Sequence, residues 1–442
     1  MCLPPPRPPP DDAAVRVELI NTGTELLIGR VLNTHQYWLG AQMVAQGWPI
    51  THQCTVPDTG TDIERALRTA LREGGLIITT GGLGPTSDDL TRQHLATLLQ
   101  RPLREDPAVA QQITDHFVRR NRPMPPSVMV QALVPDGATV LPNAHGTAPG
   151  LALTIAAQPS ENIAASWLVM LPGPPRELRP MFTTQVLPWL RDNLPPLPPL
   201  ASRTLRMTGI GESRVEAAIV PALGELIRAG LEIGYCAHCA GVDVRLSARG
   251  AEAAIIVQRA EEHVRLQLSA HIYGTDEETL EEIIVRQLTQ RGQTLAVAES
   301  CTGGLLAHRI TNVPGASAMF VAGATTYSNA AKETALGVRS QTLMEHGAVS
   351  EAVAREMAAG VRARHHTDFA LATTGIAGPG GGSAAKPVGT VFIALATAAG
   401  VQVRQEHNAF DRVTFKEVTS QQALEMLRVH LGSGALENSG GD

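Results

Sequence analysis

Apolar residues recur along this chain in two patterns. Short continuous runs, such as the one at residues 76–80, are typical of strands buried on both faces of a sheet. Longer stretches repeat apolar residues every three or four positions, as residues 61–72 do, and this spacing is typical of amphipathic helices. The two patterns alternate over most of the chain, which predicts an α/β fold.

The alternation is most regular between residues 14 and 194. Strands are predicted at 15–21, 49–56, 76–80, 138–141, 151–155 and 167–171. Helices are predicted at 35–46 and 61–72, from a glycine-rich loop at 81–92 to residue 99, at 107–120 and at 176–194. Asp106 is a predicted helix N-cap, since a proline follows it at the first helical position. The pattern predicts a doubly wound α/β domain.

A Pro-Pro-Leu-Pro-Pro run at 195–199 predicts a stiff linker and a domain boundary. Residues 200–275 then predict a small α+β module, a spacer or dimer-forming element, and residues 276–432 predict an α/β domain that ends in a helix near 413–431. The proline-rich residues 1–13 are expected to form a disordered leader, and residues 433–442 a frayed tail.

Composition narrows the range of functions. The 442 residues carry a net charge of −6 and only 3% aromatic side chains, which argues against nucleic-acid partners. No apolar run reaches the length of a membrane span. Five cysteines without framework spacing favour a reducing, cytoplasmic location. We therefore expect small-molecule ligands.

Three segments of the last domain predict one hydrolytic site. Residues 295–306 predict a strand, a tight turn of small residues that contains Ser300, and the start of a helix. Lys332 follows 32 residues later, and residues 372–382 predict a strand that opens into a glycine loop. Ligands of α/β folds bind at such carboxyl ends of strands.

The first domain contains a second candidate site. Its glycine loop contains Gly81, Gly82, Gly84 and Thr86, whose amides would hold a phosphate. Acidic residues near strand ends are candidate ligands of a divalent cation such as Mg²⁺, Mn²⁺ or Co²⁺: Glu25, Asp58, Asp88 and Asp89. The alternatives are that Asp88 only caps a helix and that Asp58 only shapes a turn.

Ordered motifs over residues 15–431 resemble the CinA (competence/damage-inducible) family. In the last domain they are ESCTGG at 299–304, VPGAS at 313–317, YSNAAK at 327–332, HGAVS at 346–350, TGIAGP at 374–379 and KPVGT at 386–390. In the first domain they are GTELL at 23–27, TTGGLGP at 79–85, DDLTR at 88–92, PN at 142–143, GTAPG at 146–150 and LPGP at 171–174. His35 departs from the family pattern, which has asparagine there, and so does the proline-rich leader.

The resemblance implies that the last domain deamidates nicotinamide mononucleotide (NMN) without a cofactor. It further implies that the first domain, similar to molybdopterin-binding domains, hydrolyses ADP-ribose with a divalent metal, and that the chain is a homodimer. The alternatives are a pterin-binding first domain without catalysis, and a partner-binding protein of competence or DNA-damage responses.

Amide hydrolysis requires a nucleophile, a base and donors to the oxyanion. We expect Ser300 and Lys332 to form a serine–lysine dyad assisted by Tyr327. The oxyanion donors would be amides around Thr302, Gly303 and Gly304, and the phosphate would lie on a loop that includes Thr374, Gly375, Gly378 and Gly380.

Each of these assignments has an alternative. Ser300 is also suited to cap the following helix, and Lys332 is also suited to be a solvated surface lysine. Cys301 is a rival nucleophile, but alternation along the strand should turn its side chain away from that of Ser300, into the packing layer. Cys236 and Cys239 resemble half of a zinc site, although a packed strand end is favoured because no second pair accompanies them.

Overall fold

The computed structural model describes residues 15–238 and 240–437, the last five of these by their backbone only. The chain divides between Pro198 and Pro199, within the proline-rich segment, into two compact units. The predicted leader, Cys239 and residues 438–442 lie outside the described residues. No helix in the described part of the chain is long and apolar enough to cross a membrane.

The first unit is built on a six-stranded sheet. Its strands are β1 Val17–Thr22, β2 His52–Val56, β3 Gly75–Thr80, β6 Thr139–Leu141, β7 Gly150–Ile155 and β8 Ser166–Leu171, in the order β2-β1-β3-β8-β7-β6. The first four in this order are parallel to one another, β7 pairs antiparallel with β8, and β6 pairs antiparallel with β7. A separate short pair, β4 Leu103–Glu105 and β5 Leu133–Pro135, does not appear among the sequence predictions.

Helices pack against both faces of this sheet, as the doubly wound prediction requires. The helices are α1 Thr24–Leu27, α2 Thr34–Ala45, α3 Gly60–Glu73, α4 Thr91–Leu98, α5 Pro107–Arg119, α6 Pro175–Met181 and α7 Leu187–Asn193. One apolar core includes side chains of α3, α4 and α5, and the other includes side chains of α2, α6 and α7. Asp106 caps α5 as predicted. The single helix predicted at 176–194 is interrupted by a π turn at Phe182–Val186.

The second unit begins with a small antiparallel module. Its strands β9 Leu200–Thr208, β10 Glu232–His238, β11 Gly241–Arg249 and β12 Ile272–Thr275 lie in the order β10-β11-β9-β12. Two helices, α8 Glu212–Arg228 and α9 Ala253–Leu268, share one core with this sheet. The predicted α+β character is therefore confirmed, although β12 was not predicted.

The rest of the unit contains a five-stranded sheet with helices on both faces. Its strands are β13 Leu295–Glu299, β14 Phe320–Thr325, β15 Phe369–Gly375, β16 Thr390–Thr397 and β17 Gly400–His407, in the order β14-β13-β15-β16-β17. The helices are α10 Leu280–Arg291, α11 Leu305–Thr311, α12 Asn329–Leu336, α13 Ser340–His346, α14 Glu351–His365 and α15 Arg412–Glu437. Because β14, β13 and β15 are neighbours and parallel, the residues that follow them meet at one edge.

Candidate active site

Ser300 and Lys332 lie in direct contact at the carboxyl edge of the second sheet. Ser300 follows β13, and Lys332 lies in the first turns of α12, a helix whose N-cap is Ser328. Alternation along β13 places Ala296 and Ala298 in the core shared with α12, so Ser300 is directed toward the same face. The Lys332 Nζ lies 2.9 Å from the Ser300 Oγ. The structure thus brings together the two residues of the predicted dyad.

Lys332 is a buried lysine rather than the solvated surface lysine that the sequence also allowed. Its side chain is 1% exposed, and burial lowers its pKa below the ordinary value of 10.5. The Thr326 carbonyl oxygen accepts a second hydrogen bond from Nζ at 2.8 Å. Among the described residues, no carboxylate lies within ion-pair distance of this ammonium group. Burial therefore shifts Lys332 toward the neutral amine, which is the form that could accept a proton from Ser300.

Glu299 holds the turn that carries Ser300, and the sequence analysis missed this role. The Glu299 carboxylate is completely buried and accepts hydrogen bonds from the amides of Gly304, Leu306 and Ala307 at 2.8–3.0 Å. It therefore satisfies the first amides of α11, and Ser300 does not act as the N-cap of this helix. A carboxylate at the end of an otherwise apolar strand, before a glycine turn and a helix, was the available signal.

This arrangement corrects the predicted oxyanion donors. The Gly304 amide donates to Glu299, and the Gly303 amide donates to the Ser300 carbonyl oxygen at 3.2 Å. Both glycines have positive φ, 61° and 93°, which suits a tight turn that other residues rarely adopt. The amides of Cys301 and Thr302 lie beside the Cys301 sulfur and have no oxygen acceptor among the described residues. These two amides are the remaining candidate donors.

Cys301 lies in the packing layer, as predicted. It is 5% exposed and belongs to the core on the opposite face of the sheet from Lys332. Burial raises the pKa of its thiol to about 12, so a thiolate nucleophile is disfavoured. The buried hydroxyl of Thr302 lies 2.7 Å from that of Thr373 on β15 and ties the turn to the neighbouring strand.

Among the hydrogen bonds of the described residues, none joins Tyr327 to Lys332. The Tyr327 side chain is 61% exposed, and its hydroxyl oxygen accepts a hydrogen bond from Arg412 at the start of α15 at 2.5 Å. Arg412 also donates to the Gly378 carbonyl oxygen at 2.9 Å and so joins Tyr327 to the glycine loop. Tyr327 thus lies at the rim of the site, the predicted donation to the lysine is not seen, and the predicted donation to the leaving ammonia stays a prediction.

Thr374 and the glycine loop contribute unequally to the site. Thr374 is 1% exposed and donates its hydroxyl to the Ala348 carbonyl oxygen at 2.8 Å, so this hydroxyl holds the fold together. A Cβ on Gly375 would lie 2.8 Å from the Thr390 carbonyl oxygen, which indicates close packing against β16. The Gly378 carbonyl oxygen accepts a hydrogen bond from Arg412, which connects it to Tyr327 at the rim of the site, and Gly380 is exposed.

The second candidate site is a cleft of about 380 Å³ in the first unit. It lies at the carboxyl ends of β1 and β3, and its lining includes Gly81, Gly82, Gly84 and the four predicted acidic residues Glu25, Asp58, Asp88 and Asp89. The Gly81 amide donates to the Leu171 carbonyl oxygen and is not free for a phosphate. Arg92 is 99% buried and donates a hydrogen bond to the Leu83 carbonyl oxygen in this loop. Burial lowers the pKa of its guanidinium group to about 10.

The acidic residues do not form a preformed metal cage. Asp89 accepts hydrogen bonds from the amide and hydroxyl of Thr86, and Asp58 accepts one from the Thr24 amide at 2.8 Å. Within the described residues, no group of three His, Cys, Asp or Glu side chains is arranged to hold a metal ion. The N-cap of α4 is Leu90, so the capping alternative for Asp88 is wrong. A cation that binds through one or two carboxylates and substrate phosphates still fits this lining.

Two further predictions concern single residues. Cys236 is exposed on β10, so the packed strand end expected there is not found; its partner Cys239 lies outside the described residues. His35 is the residue that departs from the family pattern. Its Nε2 lies 2.5 Å from the carbonyl oxygen of Gly173, which lines the cleft of the first unit.

Comparisons with known proteins cover nearly the whole chain. Residues 18–192 match the probable molybdopterin binding domain, residues 202–274 the damage-inducible protein CinA KH domain, and residues 277–431 the CinA C-terminal domain. A competence-damage inducible protein of Moorella thermoacetica is 43% identical over 423 residues, covering 93% of this chain and 98% of the relative. A CinA-like protein of Akkermansia muciniphila is 42% identical over 416 residues, covering 93% and 96%.

Among solved structures, the competence/damage inducible protein of Agrobacterium tumefaciens is 43% identical. The match covers 35% of this chain and 93% of that one, with a TM-score of 0.34. The full-length sequence relatives and the three domain matches in succession establish the family. The chain belongs to the CinA family of competence/damage-inducible proteins.

Proposed function

We propose that the C-terminal domain hydrolyses the carboxamide of NMN to nicotinate mononucleotide and ammonia. The observation that carries this proposal is the 2.9 Å contact between Ser300 Oγ and a buried lysine without a carboxylate partner among the described residues. A neutral lysine beside a serine hydroxyl is the minimum machinery for nucleophilic attack on an amide. The pyridinium charge of NMN would further favour the neutral form of Lys332.

The steps follow from these contacts. Neutral Lys332 takes the Ser300 proton while Oγ attacks the carboxamide carbon, and the amides of Cys301 and Thr302 stabilise the oxyanion. The lysine ammonium then returns its proton to the leaving nitrogen, which departs as ammonia and leaves an ester on Ser300. Lys332, neutral again, takes a proton from a water molecule while its oxygen attacks the ester carbon, and the lysine ammonium then gives this proton to Ser300 Oγ as nicotinate mononucleotide leaves. The Thr326 carbonyl oxygen holds Nζ in place throughout.

Replacing Ser300 by alanine is expected to lower ammonia release from NMN by about 10³-fold or more, because the covalent route is lost. Cys301→Ala is the matched control, since it removes a buried sulfur and leaves the backbone amide in place. This control is expected to stay within about tenfold of the wild-type rate. An enzyme inactivated by Cys301→Ala but not by Ser300→Ala would assign the nucleophile to the thiol.

We propose for the first unit a metal-dependent hydrolysis of ADP-ribose-type pyrophosphates. The support is a cleft that combines carboxylates, a glycine loop and the buried, cationic Arg92 behind that loop. Asp88 and Glu25 would hold the cation together with the pyrophosphate, and the cation would supply Lewis-acid stabilisation of charge on the phosphates. Asp89 would keep the loop in shape through Thr86. A ligand-binding role without turnover is the alternative.

Removal of divalent cations tests this second activity. ADP-ribose hydrolysis is expected to stop in EDTA and to return when Mg²⁺, Mn²⁺ or Co²⁺ is added. Asp88→Asn is expected to lower the rate by about 10²-fold or more. Asp106→Asn, which alters only the cap of α5, serves as the control. Full turnover in EDTA would contradict the requirement for a metal.

A further inference from the structure

The chain contains only three lysines among its 36 Lys and Arg residues. Lysine is ordinarily one of the commonest residues of a globular protein, so this composition is strongly biased toward arginine. Arginine supplies the cation even in simple surface ion pairs, such as those of Arg68 with Glu64 and Arg355 with Glu351. The compact ammonium of lysine and the larger planar guanidinium of arginine differ in the contacts they can make, so the surroundings of each lysine indicate what it can do.

All three lysines lie in the C-terminal domain. Lys332 is the base described above. Lys386 follows the glycine loop and donates from Nζ to the His346 carbonyl oxygen at 2.7 Å, so it attaches this loop to the end of α13. Lys416 lies on α15, one turn after Arg412. The two lysines other than the base therefore come from different elements that border the same active site.

Lys416 is the lysine whose role the amide hydrolysis leaves unexplained. A Cβ placed on Gly303 would lie 3.6 Å from the Lys416 Nζ, so the ammonium group lies over the turn that carries Ser300. Lys416 is a half-buried residue, and among the described residues its Nζ has no hydrogen bond and no ion pair. Arg412, its neighbour on the same helix face, already donates to Tyr327 and Gly378. An ammonium group without a protein partner, beside the turn that carries Ser300, is suited to bind an anion.

We propose that Lys416 binds the phosphate of the substrate and thereby selects a mononucleotide over the corresponding nucleoside. This inference rests on the proposed amide hydrolysis at Ser300. The main phosphate contact is therefore assigned to α15 rather than to the glycine loop. In that loop the Thr374 hydroxyl already donates to Ala348, and Gly375 packs closely against β16. Lysine fits this position because its compact charge can approach the Gly303 turn.

Ammonia release from NMN and from nicotinamide riboside tests the selection. Lys416→Met is expected to lower kcat/KM for NMN by about 10- to 100-fold, the loss of one charge-assisted contact, and to change that for the riboside by less than about threefold. Lys386→Met makes the same charge change but affects a loop attachment, so it should change both substrates by the same factor. A Lys416→Met variant that keeps the wild-type ratio between the two substrates would overturn the proposal.

A second measurement does not depend on turnover. With so few amines, acylation by an N-hydroxysuccinimide ester can be followed at each lysine by peptide mass spectrometry. Inorganic phosphate and NMN are expected to protect Lys416 and to leave Lys386 reactive. If the wild type releases no ammonia but phosphate protects Lys416, the proposed hydrolysis fails and the anion site stands. If the enzyme is active and neither ligand protects Lys416, the anion site is wrong.

Discussion

Replacing Lys332 by methionine is expected to lower ammonia release from NMN by about 10²- to 10⁴-fold, the usual contribution of a positioned base. Methionine keeps the apolar stem of the buried side chain and removes only the amine that contacts Ser300. Lys332→Arg should lose as much activity, because a guanidinium group stays protonated and cannot accept the serine proton. Initial rates of ammonia release measure both effects.

The same Lys→Arg change at position 386 is the matched control. Lys386 only donates to a carbonyl oxygen, and arginine can also donate there, so Lys386→Arg should keep the rate within a few fold. Circular dichroism and thermal unfolding of each variant separate loss of chemistry from loss of structure. A Lys332→Arg enzyme with wild-type turnover would show that the lysine acts only as a cation.

Replacing Glu299 by alanine is expected to lower the free energy of unfolding by about 3 kcal/mol or more. Three amides at the start of α11, one buried and two part-buried, would lose their acceptor, and an unsatisfied buried donor costs about 1–3 kcal/mol. Because the freed amides belong to the turn after Ser300, activity should fall together with stability. Urea unfolding measured on the full chain gives the free-energy change.

Glu282 offers a control of the same chemistry. It caps α10 through the Thr279 amide at 2.8 Å, but it is exposed to solvent. Glu282→Ala should therefore cost only about 1 kcal/mol, because water replaces the lost contact. Equal losses for the two variants would mean that burial of Glu299 does not determine its contribution.

The sequence predicted those parts of the fold and site that depend on local patterns. Strand-to-helix alternation identified the layered α/β units, and the parallel runs placed the turn after β13 at the same edge as the end of β15. Alternation along one strand also separated Ser300 from Cys301 correctly, since neighbouring side chains point to opposite faces. The local signal failed for β4, β5 and β12, which are three or four residues long and lack a recognisable period.

Contacts between distant segments could not be predicted in the same way. Tyr327 meets Arg412 across 85 residues, and its sequence position close to Lys332 suggested a different partner. The acidic residues of the first unit share one cleft as expected, but two of their carboxylates already accept hydrogen bonds, Asp58 from Thr24, 34 residues away, and Asp89 from the nearby Thr86. The oxyanion donors were assigned to Gly303 and Gly304 because the competing acceptor, Glu299, was not recognised.

The pKa of Lys332 in the folded protein tests the central claim most directly. With only three lysines, protein labelled with ¹³C or ¹⁵N lysine should give side-chain resonances that single substitutions assign. We predict that the pKa of Lys332 lies below the ordinary lysine value of 10.5, and that kcat/KM for NMN falls as the pH drops through this same pKa, because the base becomes protonated. A Lys332 resonance that titrates at or above 10.5 would contradict the account.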